Sequence, residues 1–460
     1  MDQPECPGCR ERDARLALLE AKVAELEARL HDLTKPPTPP QSAPALPKGP
    51  AKQPTGKKPG GQPGHPPHLK MLLPAERVNQ FVPFVPPVCV HCQKPLPQDP
   101  GPSDPPPTRH QVAELPKVAA IITEYQGHSR TCPCCGKVTQ AVIPEEIRAH
   151  SVGPNLTATL SYFAGCHGVS KRGVEEIAAA VFDAPVSLGT VANLEQEVSA
   201  ALAPAYEEAK KAVQEAEVKH LDETGWKENG KKRWLWVAAT KSVVVFLIHT
   251  LRNTVALRKL LGDVWTGILC SDRWRAYDEW STERRQLCWA HLKRNWEKML
   301  ERGGKAKEIA QACLSIQQRV FELWHLYRGG GCTRLDLGNN MAPLTLAMLE
   351  VLQSGQRCRD RKTQRFCARL LDKFPAMWTF VVTEGVEPTN NHAERVQRRA
   401  VLWRRRSFGC HSADGCRFVE RILTVVQTLR LQQRSVIPFL QETLTAHRCR
   451  QKTPKLLLVG

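Results

Sequence analysis

Hydrophobic positions change their period several times along this chain, and each change marks a module. Leu16, Leu19, Val23, Leu26 and Leu30 recur at intervals of three and four, an a/d seam flanked by charged residues. That spacing predicts a helix over 1–34, either a short oligomerisation helix or an amphipathic one docked on its own chain. Between 36 and 67 the periodicity disappears: twelve prolines and no acidic residue make an extended, mobile tether, part of a Pro/Gly-rich basic linker over 35–75. Helical periodicity returns at 155–163, 174–181 and 190–202, with Ser187-Leu188-Gly189-Thr190 as a start signal for the third segment. Three short helices within 151–216 permit a helix-turn-helix-like module whose last helix enters a major groove, or equally a plain helical spacer.

From Glu217 the pattern becomes that of strands, at 218–221, 233–239 and 243–249, with a tight turn at Glu228-Asn229-Gly230. A helix over 254–261 and a fourth strand over 266–270 follow. Helical periods then occupy 308–327 and 365–381, with Ile309, Cys313, Ile316, Val320, Trp324 and Tyr327 on one face and a break at glycines 329–331. We read these as a helical insertion, about residues 300–380, inside an α/β domain spanning 217–430. Phe418, Ile422, Val425 and Leu429 predict a closing amphipathic helix. Residues 431–460 complete the chain as a C-terminal helix and a frayed basic tail carrying Lys452 and Lys455.

Composition narrows the class. With 460 residues, 42% of them hydrophobic, the chain is long enough for two to four domains and too apolar for wholesale disorder. Its longest purely aliphatic or aromatic run, 243–248, is far short of the ~20 residues a membrane helix needs, so no membrane partner is expected. The start is charged and lacks an apolar signal core, which predicts a cytoplasmic protein. Seventeen cysteines in that setting read as reduced thiols and metal ligands rather than disulfides. The net charge of +19 favours a polyanionic partner, nucleic acid before membrane. It is unevenly spread: the helical segment 152–216 is acidic, with four basic and eight acidic residues, whereas 384–460 carries fourteen basic and six acidic.

The strongest local metal signal is a pair of C-x-x-C knuckles, Cys89/Cys92 and Cys132/Cys135, about forty residues apart. Four thiolates so arranged suit tetrahedral structural Zn²⁺ in a small zinc ribbon over 76–150, with 111–125 read as extended. Gly136 suits the turn that lets backbone amides approach the sulfurs. Cys134 is a competing ligand, and Cys6/Cys9 has no second pair nearby. Two carboxylates, Asp222 and Asp272, lie just beyond predicted strand ends, where side chains converge and can bridge hard divalent cations. Glu394, at a helix start in Pro388-Thr-Asn-Asn-His-Ala-Glu394-Arg395, is the candidate third. Glu223, Asp278, Glu279, Glu384 and Glu387 are local alternatives. No G-x-x-x-x-G-K-S/T loop is present, so no ATP-binding step is suggested.

At this point the chain resembles a known family. Asp222-Glu-Thr-Gly225-Trp226, Trp234-Leu-Trp236-Val, Ser271-Asp272-Arg-Trp-Arg-Ala-Tyr277, Cys288-Trp-Ala-His291-Leu-Lys-Arg294 and Thr389-Asn-Asn-His-Ala-Glu394-Arg395 look like the transposase of the insertion-sequence-66 family. Gly60-Gly-Gln-Pro-Gly64-His65, the knuckles, Ser187-x-Gly-Thr190, Trp403-Arg-Arg and Ser407-Phe408-Gly409 extend the likeness over most of 55–440. Arg405 and Cys410 depart from its pattern. The resemblance implies a multidomain α/β protein: a ribonuclease-H-like mixed sheet with a helical insertion, preceded by a zinc ribbon and a helix-turn-helix-like module. It implies a bacterial, nucleoid-associated DDE-type enzyme that cleaves element-end DNA and joins it to target DNA. Asp222, Asp272 and Glu394 would hold two Mg²⁺ (or Mn²⁺) ions, one activating water or a 3′-hydroxyl and the other stabilising the leaving oxygen.

Six arginines in twelve residues follow Glu394: Arg395, Arg398, Arg399, Arg404, Arg405 and Arg406, with Trp403 among them. They are suited to gripping phosphates and unstacked bases of double-stranded DNA, at terminal repeats and target. Paired end cleavage makes a homo-oligomer plausible on DNA, and accessory proteins encoded by the element are possible partners. Cys288 and His291 read as structural. Two other readings compete: a non-enzymatic zinc-ribbon DNA-binding regulator, and a nuclease of the same fold that hydrolyses without joining.

Overall fold

The computed structural model describes residues 72–458. The predicted helix at 16–30, the Cys6/Cys9 pair and the proline-rich tether lie outside the described residues. The chain divides into two units, one ending at Glu114 and the other beginning at Leu115.

In the first unit, Leu73 is bonded through both its N–H and its carbonyl to the Gln111 side chain (2.8 and 3.0 Å). The knuckle at Cys89 is a tight turn: the Cys89 carbonyl accepts from Gln93 N–H and Cys89 N–H donates to the Lys94 carbonyl, both at 2.9 Å. Gln93 takes a positive φ of 58° to close it. In the second unit, Cys132 repeats this scheme between strands β1 (Ser129–Thr131) and β2 (Val138–Gln140), an antiparallel pair. Its carbonyl accepts from Gly136 N–H and its N–H donates to the Lys137 carbonyl (2.9 and 2.8 Å), with Gly136 at φ 69°. The 111–125 stretch, read as extended, contains no strand among the described residues.

Four helices follow: α1 (Pro154–His167), α2 (Lys171–Phe182), α3 (Leu188–Ala201) and α4 (Ala203–Glu215). The Ser170 and Ser187 side chains cap α2 and α3 by accepting from Gly173 and Thr190 N–H. The third start signal is therefore a serine N-cap, and 203–215 forms a helix of its own. In α4, Ala205, Tyr206, Ala209 and Val213 face inward.

The central sheet has order β5-β4-β3-β6-β7. Its strands are β3 (Val218–Glu228), β4 (Lys231–Ala239), β5 (Val244–His249), β6 (Ile268–Ser271) and β7 (Arg285–Leu287). β3, β4 and β5 form an antiparallel meander, while β6 runs parallel to β3 and β7 parallel to β6. The β3–β4 turn is Asn229-Gly230 with both φ positive (46° and 73°), which matches the twist of a hairpin. Sequence alone ended the first strand at 221. It continues to Glu228 because the polar run Asp222 to Gly225 pairs with the apolar residues Val237 to Trp234 of β4. Asp222 is thus mid-strand, not beyond a strand end. Helix α5 (Thr254–Leu261) leads into β6.

After β7 comes the insertion: α6 (Trp289–Leu300), α7 (Gly304–Arg328), α8 (Arg334–Gln356) and α9 (Arg361–Leu371). α8 was not anticipated beyond the glycine break, yet Thr333 and Asp336 form a reciprocal capping box at its start. The chain returns to the sheet through α10 (Asn391–Ser407), α11 (Ala413–Leu431) and α12 (Val436–Arg448). Helices α1–α4, the sheet and α10–α12 share one hydrophobic core, and the insertion builds a second against β6 and β7. The C-terminal tail is not frayed at its apolar end: Leu456 is fully buried, and Leu456 and Leu457 N–H donate to Glu208 (3.0 and 3.2 Å).

Both sheet edges are covered. The outward N–H groups of Val244, Phe246 and Ile248 in β5 donate to Thr428 Oγ1, Thr424 Oγ1 and Glu420 Oε1 of α11, at 3.1, 3.0 and 2.5 Å. Acceptors four residues apart on a helix rise about 6 Å, and donors two apart on a strand about 6.7 Å, so one helix satisfies three successive edge donors. At the other edge, the Gln286 side chain accepts from Phe380 N–H (2.8 Å) and donates to the Met377 carbonyl (3.2 Å). Thr424→Val keeps the shape but orphans the Phe246 N–H, and should cost about 1–3 kcal/mol in urea unfolding. Burial pushes the Glu420 carboxyl up from 4.5 to about 7. Because the folded value is the higher one, ionisation of the unfolded chain erodes stability as pH rises through that interval. Glu420→Gln should remove that slope, worth about 3 kcal/mol by pH 8, in melting curves of the two proteins.

Candidate functional site

The parallel register of β3 and β6 sets the first two carboxylates. His220 pairs with Cys270 at the end of that register, and two residues on, Asp222 continues β3 while Asp272 stands just past the end of β6. Asp222 accepts from Glu223 N–H (2.9 Å), and Asp272 accepts from Trp274 N–H (2.8 Å), which turns the chain sharply after β6. Burial, then the charges of Glu223, Asp272 and Glu394, push the Asp222 carboxyl up to about 8. The three acids selected from the sequence therefore share one electrostatic neighbourhood, although Glu394 lies 122 residues beyond Asp272.

Glu394 is brought there by the start of α10, and Asn390 fixes that start. The Asn390 side chain is buried; its Nδ2 donates to the Leu221 carbonyl (2.6 Å) and its Oδ1 meets His220 Nδ1 (3.1 Å). Its backbone N–H donates to Cys288 Sγ (3.1 Å), and His392 Nε2 reaches the Thr240 carbonyl (2.7 Å). The helix is thus pinned to β3 beside Asp222. Sequence reading quoted Asn390 in a motif without giving it this task. The clue was there, since a buried amide needs partners for both ends.

Most alternative carboxylates are already engaged. Glu223 Oε1 is held by Arg252 (2.7 Å) and its Oε2 by the Tyr277 hydroxyl, while Arg252 lies between the Trp234 and Trp274 rings (4.7 and 4.1 Å). Asp278 pairs with Arg285 and Lys373 (3.0 and 2.8 Å), Glu279 with Arg258 (2.8 Å) and Glu387 with Arg328 (2.6 Å). Glu384 is exposed.

Cys288 and His291, read as structural, stand against Glu394. Cys288 is buried before α6 and accepts the Asn390 N–H, so it helps seat α10. His291 Nδ1 is buried, 3.7 Å from Glu394 Oε1, which also meets Arg294 (3.2 Å). The ligand atoms of Cys288, His291 and Glu394 all lie within 4.8 Å of one another, close enough to hold a metal ion. Asp222, Asp272 and Glu394 offer oxygen only, the donor set of hard cations, whereas the thiol and imidazole are softer donors. Glu394 turns toward Arg294 and His291, the attractive side for a carboxylate that faces two others.

The α10 arginines divide into two groups. Arg395, Arg398, Arg399, Arg405 and Arg406 are exposed. Trp403 instead stacks on Trp226 (5.5 Å, 10°) and donates to the Ala164 carbonyl (2.8 Å). Arg404 bonds Thr224 Oγ1 (3.1 Å) and the Gly225 carbonyl. These two, expected from the sequence to reach DNA, spend contacts inside the fold and tie the end of α10 to β3 and α1. Each knuckle also shows amides turned on sulfur. The N–H groups of Cys92 and His91 lower the Cys89 thiol, and those of Cys135 and Cys134 lower Cys132.

Residues 150–417 match the family model described as Transposase IS66 family. The chain belongs to the IS66 transposase family. The matched span begins just before α1 and takes in the sheet, the insertion and α10, so the family likeness covers all three carboxylates. A similar protein is the uncharacterized protein y4qI of Sinorhizobium fredii (strain NBRC 101917 / NGR234), 26% identical over 240 residues, 46% of this chain and 43% of that protein. The match thus spans less than half the length of that relative. No helix among the described residues is long and apolar enough to cross a membrane.

If Asn390 seats the transposase helix as described, Asn390→Ala leaves the Leu221 carbonyl and His220 without their partner. It should lower unfolding stability by about 1–3 kcal/mol, read in urea titrations.

Proposed function

We propose that this chain is a DNA transposase in which Asp222, Asp272 and Glu394 hold two Mg²⁺ or Mn²⁺ ions for cleavage of element-end DNA and strand transfer into target DNA. The observation that carries the reading is that Asp272 and Glu394 both act on the Asp222 carboxyl: Asp222 lies on β3, Asp272 just past the end of the neighbouring parallel β6, and Glu394 on a helix pinned to β3. Burial, and then the charges of the neighbouring acids, raise the Asp222 carboxyl to about 8, and a divalent cation would relieve that cost. The meander with its parallel β6 and β7 supports a ribonuclease-H-like core, and family membership supports DNA as substrate.

Bound divalent ions would supply Lewis-acid stabilisation of charge on the phosphate and a more acidic water or 3′-hydroxyl. The protein's part is to position. Asn390 and Cys288 set the height of Glu394 against Asp222. Arg252 and Tyr277 withdraw Glu223 from competition, and the Trp274 N–H orients Asp272. Arg395, Arg398 and Arg399 follow Glu394 on an exposed helix face, where they would hold DNA phosphates, with Arg405 and Arg406 farther along. No side chain is required as a covalent nucleophile.

The same reading keeps Cys89, Cys92, Cys132 and Cys135 as ligands for structural Zn²⁺, supported within each knuckle, taken by itself, by its turn and amide-to-sulfur geometry. Oligomerisation on DNA and accessory proteins belong to this proposal, as does the bacterial nucleoid setting.

Asp222→Asn, Asp272→Asn and Glu394→Gln should each retain binding to element-end duplexes and lose Mg²⁺-dependent cleavage by more than about a hundredfold, since even outer partners of a metal are worth 10–100-fold. Cleavage by a folded variant at the unsubstituted rate would sink the assignment. Pre-cleaved ends incubated with a target plasmid should give joined products, which a hydrolysis-only nuclease or a DNA-binding regulator would not form.

A further inference from the structure

Helix α9 of the insertion carries four cations and no acidic side chain along its eleven residues. Arg361, Arg365 and Arg369 recur every four residues and Lys362 lies beside them. At 100° per residue all four project within an arc of about 100°. The opposite side, Thr363, Cys367 and Leu370, is buried in the insertion core. All four cations are exposed, and among the described residues none has an ion pair or side-chain hydrogen bond. Of the two acids that flank the helix, Asp360 is spent on capping, accepting from Thr363 N–H (2.9 Å) and pairing with Arg302 (3.5 Å), and Asp372 stands exposed as the C-cap after Leu371. Like charges at this spacing repel and weaken a helix, and an ordinary solvated face intersperses acids to avoid it. The stripe therefore has a cost that an external polyanion would offset.

Its position joins it to the carboxylates. Phe366, at the edge of the cationic arc, packs under the guanidinium of Arg273 (4.6 Å). Arg273 directly follows Asp272 and donates to Asn295 (3.0 Å). From Arg361 to Arg369 the helix rises about 12 Å, while each strand of a duplex offers a phosphate every 3.4 Å of its axis.

We infer that Arg361, Lys362, Arg365 and Arg369 form a phosphate-binding face for duplex DNA, leading through Arg273 to Asp272. This rests on the reading of the substrate as DNA, and extends the contact surface from α10 to the insertion. Guanidinium on phosphate reads no bases, so the face would position DNA without selecting sequence.

The test uses the full chain carrying Arg361→Gln, Arg365→Gln and Arg369→Gln together, substitutions that keep helix propensity and remove charge. Binding of a labelled element-end duplex and a scrambled duplex is followed by anisotropy between 50 and 200 mM KCl in EDTA, so that cleavage does not intervene. The slope of log affinity against log salt should fall by about 2–3, at about 0.9 per phosphate contact, with an equal loss of affinity for both duplexes. The matching Arg→Lys triple variant should keep the slope. An unchanged slope overturns the inference, as does a loss confined to the element end or one equally large in the lysine variant. Failure of the carboxylate reading would appear elsewhere, as cleavage persisting in Asp222→Asn while these salt slopes stand.

Discussion

One buried amide connects the two parts of the site that sequence keeps farthest apart. Asn390 bonds the Leu221 carbonyl and the His220 ring with its side chain and Cys288 with its backbone, so β3, the start of α6 and the start of α10 meet at one residue. That junction holds the start of α10, and with it Glu394, beside Asp222, while the Trp403 and Arg404 contacts hold the helix's far end to β3. The junction is stringent because a buried Asn can be satisfied in few orientations, and each unmet donor or acceptor costs more than a typical bond gains. The long insertion between Asp272 and Glu394 is tolerable for the complementary reason. Loop-closure entropy grows only logarithmically with length, and the insertion has its own hydrophobic core, so the junction bears little of the cost of ordering it.

What could be read from the sequence follows from how local the information is. The α5 span, 254–261, was legible to the residue because Asn253 caps its start and Gly262 ends it. The break at 329–331 was legible because glycines punctuate the helices, although α8 beyond it was not: Pro343 and scattered polar residues disguise a period that tertiary packing completes. The length of β3 was hidden for a different reason. Asp222, Glu223, Thr224 and Gly225 have weak strand preference, and only pairing with the apolar β4 holds them in the sheet. Asp222, Asp272 and Glu394 were found as acids beside element boundaries. What separates Asp222 and Asp272 from Glu223, Asp278, Glu279 and Glu387 is the neighbouring cation each of the latter has, a fact of tertiary contact that no spacing encodes; Glu394, which meets Arg294, is set apart by its charge acting on Asp222.

Arginine shows the same limit from the other side. Six arginines in twelve residues looked alike as a charge run, yet the fold gives them unlike work. Arg404, with Trp403, spends its donors inside, against β3 and α1, and Arg406 donates to the His167 carbonyl (2.8 Å) while remaining exposed. A side chain with five donors serves equally as a surface cation and as a clamp on backbone carbonyls, so composition alone overstates the phosphate-facing charge.

The distribution of charge then has a structural logic. The acidic helices α1–α4 share the main core with the sheet, and α11 among the elements packed there places Glu420 on an edge N–H. Like-charged acids are crowded at Asp222, where the next outward elements bear Arg273, Arg294 and the exposed arginines of α10. On the proposed reading these cations lower the cost of bringing phosphate near, while Asp222 and Asp272, which have no ion pair among the described residues, keep a demand for positive charge that Arg294 meets only at Glu394. Had an arginine neutralised Asp222 and Asp272 directly, as Arg252 does Glu223, those two acids would have little left to offer the metal ions proposed for them.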